Sequence, residues 1–183
     1  MTDPTLPSPT LRARLRDETN ALHDRLDASL APAALAEGQD YAAFLAAQYR
    51  ARGPIEEWLA GQTTAPPPAQ TPLIARDLAE MDHPLPLAGN AFVPPSGSDP
   101  LGVAWVLAGS SLGNRAILAR RRKRGLAGPV HFLSDDAMPR LFQKMRAQLE
   151  QPVDEDQAEP IISAAKAAFE QFILAQDNVR TAA

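Results

Sequence analysis

Residues Leu11 to Leu30, LRARLRDETNALHDRLDASL, decide the fold. Leu11, Leu15, Leu22 and Leu26 recur at helical spacing, and at about 100° per residue they share one face. Thr10, following Pro9, is placed to cap the helix start. On the same wheel Arg12, Arg16, Thr19 and His23 cluster along the flank of the leucine stripe. Arg16 and His23 are two turns apart, so they point the same way, about 10 Å apart along the axis.

A neutral imidazole is a metal ligand, and a guanidinium two turns away suits a carboxylate. Haem needs that pairing: an axial nitrogen for its iron and cations for its propionates. A histidine at the border of an apolar face that only hydrogen-bonds is the other reading. Periodicity leaves both open.

A second stretch, Leu101 to Arg122, LGVAWVLAGSSLGNRAILARRR, reads as an apolar helix interrupted by glycines. Gly109 and Gly113 lie four apart on one face. Each costs roughly 1 kcal/mol relative to Ala in a helix interior. Missing side chains on one face let a flat ligand approach the backbone, allow a kink, or permit tight helix–helix packing. Gly109-Ser110-Ser111-Leu112-Gly113 also matches the G-x-S-x-G nucleophile elbow of serine hydrolases. That reading requires a sheet and the order Ser, acid, His. No other strand is available, the only later histidine is His131, and residues 112–130 contain no acid.

The chain has 183 residues, 45% hydrophobic and 22% charged, which is ordinary for one soluble domain with a sizeable core. A net charge of −4 gives no case for nucleic acid binding. The absence of cysteine removes disulfides, thiolate nucleophiles, zinc fingers and iron–sulfur clusters together, and fits a reducing, cytoplasmic setting. The Pro-rich start, MTDPTLPSPT, lacks a signal-peptide pattern, so residues 1–9 are expected to be a flexible tail ahead of a domain spanning 10–183. Asn114 and Arg115 interrupt the most apolar segment before it reaches the ~20 residues of a membrane span, so no membrane span is expected.

The remaining segments are helical or loop. DYAAFLAAQYRARGPIEEWLAG, opening at Asp40, carries Tyr41, Phe44, Leu45, Gln48 and Ile55 on one face, with Gly53 and Pro54 expected to bend or divide it and Gly61 to stop it. Nine of the 18 prolines fall in residues 62–100, which hold one short helix capped by Thr71. Asp99 and Pro100 start the glycine-bearing helix, and Arg120 to Arg124 end it as a solvated basic cluster that complements the dipole, before Gly125. Ser134 is expected to cap a fifth helix. A sixth, residues 154–179, sets Ile161, Ile162, Ala165, Phe169, Phe172 and Ile173 at core spacing. No period-two strand appears, so the fold is read as all-α with about six helices. His83, before Pro84, and His131 have no partner at metal spacing and are expected to be structural or exposed.

Three segments together resemble the haem oxygenases, especially the bacterial biliverdin-forming type. LRDETNALHDRLD looks like the proximal helix, with its histidine at His23. VLAGSSLGNRAIL looks like the distal helix, with Gly109, Ser110, Leu112 and Gly113 as its core motif. AAKAAFEQFILAQD looks like the last helix, with Ala165, Lys166, Ala168 and Phe169 in register. Ala108 stands where relatives often carry Glu, Asn114 and then Arg115 where a further small residue follows, and Gln143 where a basic residue serves propionates, with Arg140 and Lys144 nearby.

The resemblance implies an all-α, single-domain, haem-oxygenase-like helical bundle, with haem sandwiched between the proximal first helix and a kinked distal helix. It implies His23 as the axial iron ligand, Arg16 with Arg12 at the propionates, and Thr19 beside them. Gly109 and Gly113 then give the porphyrin room, and Ser110 with water holds the oxygen ligand by hydrogen bonds. The implied reaction consumes oxygen and electrons from a donor such as ferredoxin or a flavin reductase, and yields biliverdin, ferrous iron and carbon monoxide. A phytochrome is an acceptor the resemblance suggests for the product. A haem- or tetrapyrrole-binding protein without turnover is the alternative, motivated by Ala108 and Arg115.

Overall fold

A computed structural model describes residues 8–181. Seven helices follow in order: α1 (Leu11–Ala34), α2 (Gly38–Gln62), α3 (Thr71–Glu80), α4 (Pro100–Arg124), α5 (His131–Ser134), α6 (Ala137–Leu149) and α7 (Glu155–Thr181). The only extended pairing among the described residues is an isolated bridge between Thr10 and Pro152. The chain is therefore all-α, as its periodicity requires. Most of the expected tail, residues 1–7, lies outside the described residues. Its last member does not hang free, because the Pro9 carbonyl accepts from the Val153 amide at 3.3 Å.

Thr10 caps α1: its Oγ1 accepts from the Ala13 amide at 3.2 Å. Leu11, Leu15 and Leu26 are buried and Leu22 packs against the same core, each worth about 1.5–3 kcal/mol when fully removed from water. Asp99 caps α4 by accepting from the Leu101 amide at 2.8 Å, and Gly125 ends α4 in the left-handed conformation at φ 65°. α4 is tied to α7 at its start, where the Asp99 amide donates to the Pro160 carbonyl at 3.0 Å.

Several boundaries differ from the sequence reading. α2 runs through Gly53 and Pro54 as one helix to Gln62. Thr71 is the first residue of α3, not its cap, and its hydroxyl donates to Glu56 at 2.6 Å. Ser134 ends the short α5. The residue that serves the start of α6 is Asp135, whose carboxylate accepts from the Ala137 and Met138 amides at 3.2 and 3.1 Å.

α7 packs against α1, α2 and α4 and forms the centre of the main core. A second core joins α2, α3 and α5 to the far end of α4. Arg121 belongs to the latter, which corrects the expectation that the whole basic cluster is solvated. It is 1% exposed and donates to the carbonyls of Ala34 (3.1 Å), Ala36 (2.6 Å) and Ala127 (2.5 Å). By length and composition α4 could cross a membrane, but 44% of its most apolar window is buried among the other helices.

Candidate functional site

A cavity of about 440 Å³ lies between α1 and α4, within the range of small-molecule sites. Arg12, Arg16, Thr19 and His23 line it from α1, and Gly109, Ser110 and Gly113 from α4. The structure thus brings together the seven candidate site residues of the two helices. Phe44 and Gln48 of α2, Phe142 of α6, and Phe169 and Phe172 of α7 complete much of the wall. Phe169 and Phe172 lie on the helix that carries the third segment of the resemblance, Phe44 and Gln48 fall on a helical face read from the sequence, and Phe142 had no signal of its own.

His23 is exposed at the cavity, with 56% of its side chain accessible. Its ring stands edge-on to Phe169 at 6.1 Å between centroids. Nδ1 faces the carboxylates of Asp24 and Asp27 at 3.8 and 3.7 Å. At those distances neither carboxylate hydrogen-bonds the ring, so they set a negative field at its Nδ1 edge without fixing its orientation. His83 and His131 lie elsewhere: the His83 ring meets the Pro84 carbonyl at 3.0 Å, and the His131 ring meets Glu80 at 2.9 Å. No cluster of three or more His, Asp or Glu suited to a bare metal ion occurs among the described residues.

The two arginines on α1 differ. Arg12 is paired with Glu150 at 2.8 Å, with both side chains exposed. Arg16 is exposed beside the cavity and makes no ion pair among the described residues. Thr19 is buried, and its hydroxyl donates to the Leu15 carbonyl of its own helix at 2.7 Å.

On the facing helix the glycines separate by function. A Cβ on Gly102 would collide with the Ile161 carbonyl, so this glycine lets α4 and α7 approach closely. A Cβ on Gly113 would meet nothing within 4 Å, and one on Gly109 only the edge of Phe142 at 4.0 Å. Gly109 and Gly113 therefore face open space. The close-packing role falls to Gly102. Ser110 sits within α4, not on a strand-to-helix turn, which removes the hydrolase reading. Its hydroxyl donates to the Leu107 carbonyl at 2.7 Å and accepts from Arg52 Nη2 at 2.8 Å. Of the unusual α4 residues, Ala108 is fully buried, Asn114 is buried and lines the cavity, and Arg115 is exposed.

On α6 the cavity is reached by Phe142, while Arg140 pairs with Asp136 and Lys144 is exposed. No protein-family model matches the sequence. No curated protein matches it either. Among solved structures, the chain is similar to the haem oxygenase of Neisseria meningitidis, described in its NO- and CO-bound forms. The TM-score is 0.72 at 19% identity, with 93% of this chain and 92% of that one covered. The fold is that of a haem oxygenase.

Proposed function

We propose that this protein binds haem between α1 and α4 and opens the ring oxidatively to biliverdin, with release of ferrous iron and carbon monoxide. The observation that carries the reading is one cavity shared by an accessible histidine and two unfilled glycines, in a fold shared with a haem oxygenase. The residues fit the group. His23 supplies an imidazole nitrogen, the phenylalanines supply apolar walls for a flat macrocycle, and the glycines leave the space its face requires.

When bound, the haem supplies the iron and the oxidisable ring. The protein's part is placement. His23 would hold the iron, with Asp24 and Asp27 facing its Nδ1 edge. Arg16 offers a guanidinium to a propionate, with Arg12 shared between that role and Glu150. Gly109 and Gly113 would leave room for the ring beside the α4 backbone. The α4 wall carries Ser110 and Asn114 but no carboxylic acid or histidine, so it offers hydrogen bonds without an acid–base pair. Electrons come from an external donor such as ferredoxin or a flavin reductase.

The test is haem titration followed by addition of such a reductant with oxygen, read by absorption and by product extraction. Uptake followed by decay to biliverdin is expected, with loss of both in Gly113→Leu. Uptake without decay under any reductant would identify a haem carrier instead. Normal uptake and decay in Gly113→Leu would overturn the α4 assignment.

A further inference from the structure

Arg52 of α2 is fully buried, yet no carboxylate forms an ion pair with it among the described residues. Its guanidinium lies between two rings, 5.0 Å from the centroid of Phe132 and 5.3 Å from that of Phe172. Nε donates to Gln48 Oε1 at 3.3 Å and Nη2 to Ser110 Oγ at 2.8 Å, whereas Nη1 is buried without a hydrogen-bond partner. Gln48, Ser110 and Phe172, which hold the guanidinium, all line the cavity.

The opposite charges that act on it are Glu56 and Asp135, and both are engaged elsewhere. Glu56 accepts from the Gln70 amide at 2.8 Å and from the Thr71 hydroxyl at 2.6 Å. Asp135 accepts from the Gln70 side chain at 2.7 Å and from the first amides of α6. Burial pulls the guanidinium down to about 10, against the pull of those two carboxylates, so it still carries its proton at neutral pH. A buried charge without a paired counter-charge is costly. In an apolar wall its field reaches further than in water.

The geometry points to Arg52 as a positioning residue of this cavity, and we propose that role. It fixes the Ser110 hydroxyl and makes the α4 wall electropositive, so a small ligand sharing the space with the haem is favoured as an anion. The fixing follows from donor chemistry. Arg52 can only donate, and the Leu107 carbonyl can only accept, so the Ser110 proton points to Leu107 and one lone pair points to Arg52. This inference rests on the haem-binding reading above.

The test compares azide, an anion, with imidazole, a neutral ligand, in absorption titrations of the ferric haem-loaded protein. Arg52→Met is expected to weaken azide by about tenfold or more while imidazole changes much less. Arg52→Lys keeps the charge and is expected to stay near wild type with both probes. Equal losses of azide and imidazole in Arg52→Met, or no loss of azide, would overturn the proposal. If Arg52→Met does not fold, Ser110→Asp decides. Its carboxylate gives the buried guanidinium a partner, so the apo protein should melt above wild type and the loaded protein should bind azide more weakly. An apo melting temperature at or below wild type would equally sink the idea. Failure of the wild-type protein to take up haem would refute the binding reading instead, and the apo melting comparison would still report the uncompensated charge.

Discussion

Gly102 of α4 lies directly against the carbonyl oxygen of Ile161 in α7. Seven residues on, Gly109 has room for a methyl group, and Gly113 faces open space. The three glycines therefore respond differently to the same substitution. Gly102→Ala drives a Cβ into backbone that cannot yield cheaply, at about 1–3 kcal/mol or more. Gly113→Ala replaces the poorer helix former at an open site and should gain up to ~1 kcal/mol in the apo protein. Urea unfolding of the two variants checks the contrast, and equal effects would refute it.

Arg121 supplies the hydrogen bonds that close the α1–α2 connection. Its guanidinium stacks on Tyr41 at 3.7 Å and serves three carbonyls of the chain around it. Arg121→Met leaves those acceptors without a donor, at about 1–3 kcal/mol for each that stays buried. Arg121→Lys lacks the fork and should recover little of the loss. Thermal melting of both variants should show a large drop. A surface-like change of under ~0.5 kcal/mol would contradict the buried role.

Much of this was legible in the sequence because helical period and helix chemistry act locally. The leucine stripe of α1, the Thr10 and Asp99 caps, and the Gly125 stop each depend on neighbours within a turn or two. The shared wall of His23, Gly109 and Gly113 came from the family resemblance, because the spacing of each helix leaves its partner unstated. What stayed hidden was tertiary. Arg121 reads like any other member of a basic run until the α1–α2 turn closes over it. Arg52 follows Gln48 by four residues on an otherwise apolar face, a signal that was present but does not reveal Ser110 as the partner. Gly102 is one more glycine until α7 arrives against it.

His23 is the one imidazole at the cavity, so haem ligation should depend on it alone. His23→Ala is expected to abolish the histidine-ligated ferric spectrum. His83→Ala and His131→Ala, which do not line the cavity, should preserve it. Loss of the signal in either of those two would reassign the ligand.

The pairing of Arg12 with Glu150 predicts unequal roles for the two arginines on α1. An exposed ion pair is worth only about 0–1 kcal/mol, so a propionate could recruit Arg12 away from it. Arg16 needs no such exchange. Arg16→Ala should therefore weaken haem binding more than Arg12→Ala and change the ratio of biliverdin isomers. Titration and chromatography of the product check both. Greater sensitivity to Arg12→Ala would reverse the assignment.

Asp77 gives the joint between α3 and α5 one pH-dependent contribution, beside that of the Glu80–His131 pair. Its carboxylate accepts from the His131 and Phe132 amides at 2.8 and 3.0 Å. Burial nevertheless pushes its carboxyl above the ordinary 3.8, against the opposing pull of those two amides. A carboxyl raised in the folded state binds its proton more tightly there than in the unfolded chain. Its contribution to stability is therefore fully present below the unfolded value and is lost as pH rises through the folded one. Asp77→Asn removes the titration while leaving one oxygen to accept. The melting-temperature advantage of wild type over Asp77→Asn should consequently shrink as pH climbs from the unfolded value of 3.8 through the higher folded one. An advantage that grows over the same interval would mean that the two amides outweigh burial and that the ionised carboxylate is the form the fold prefers.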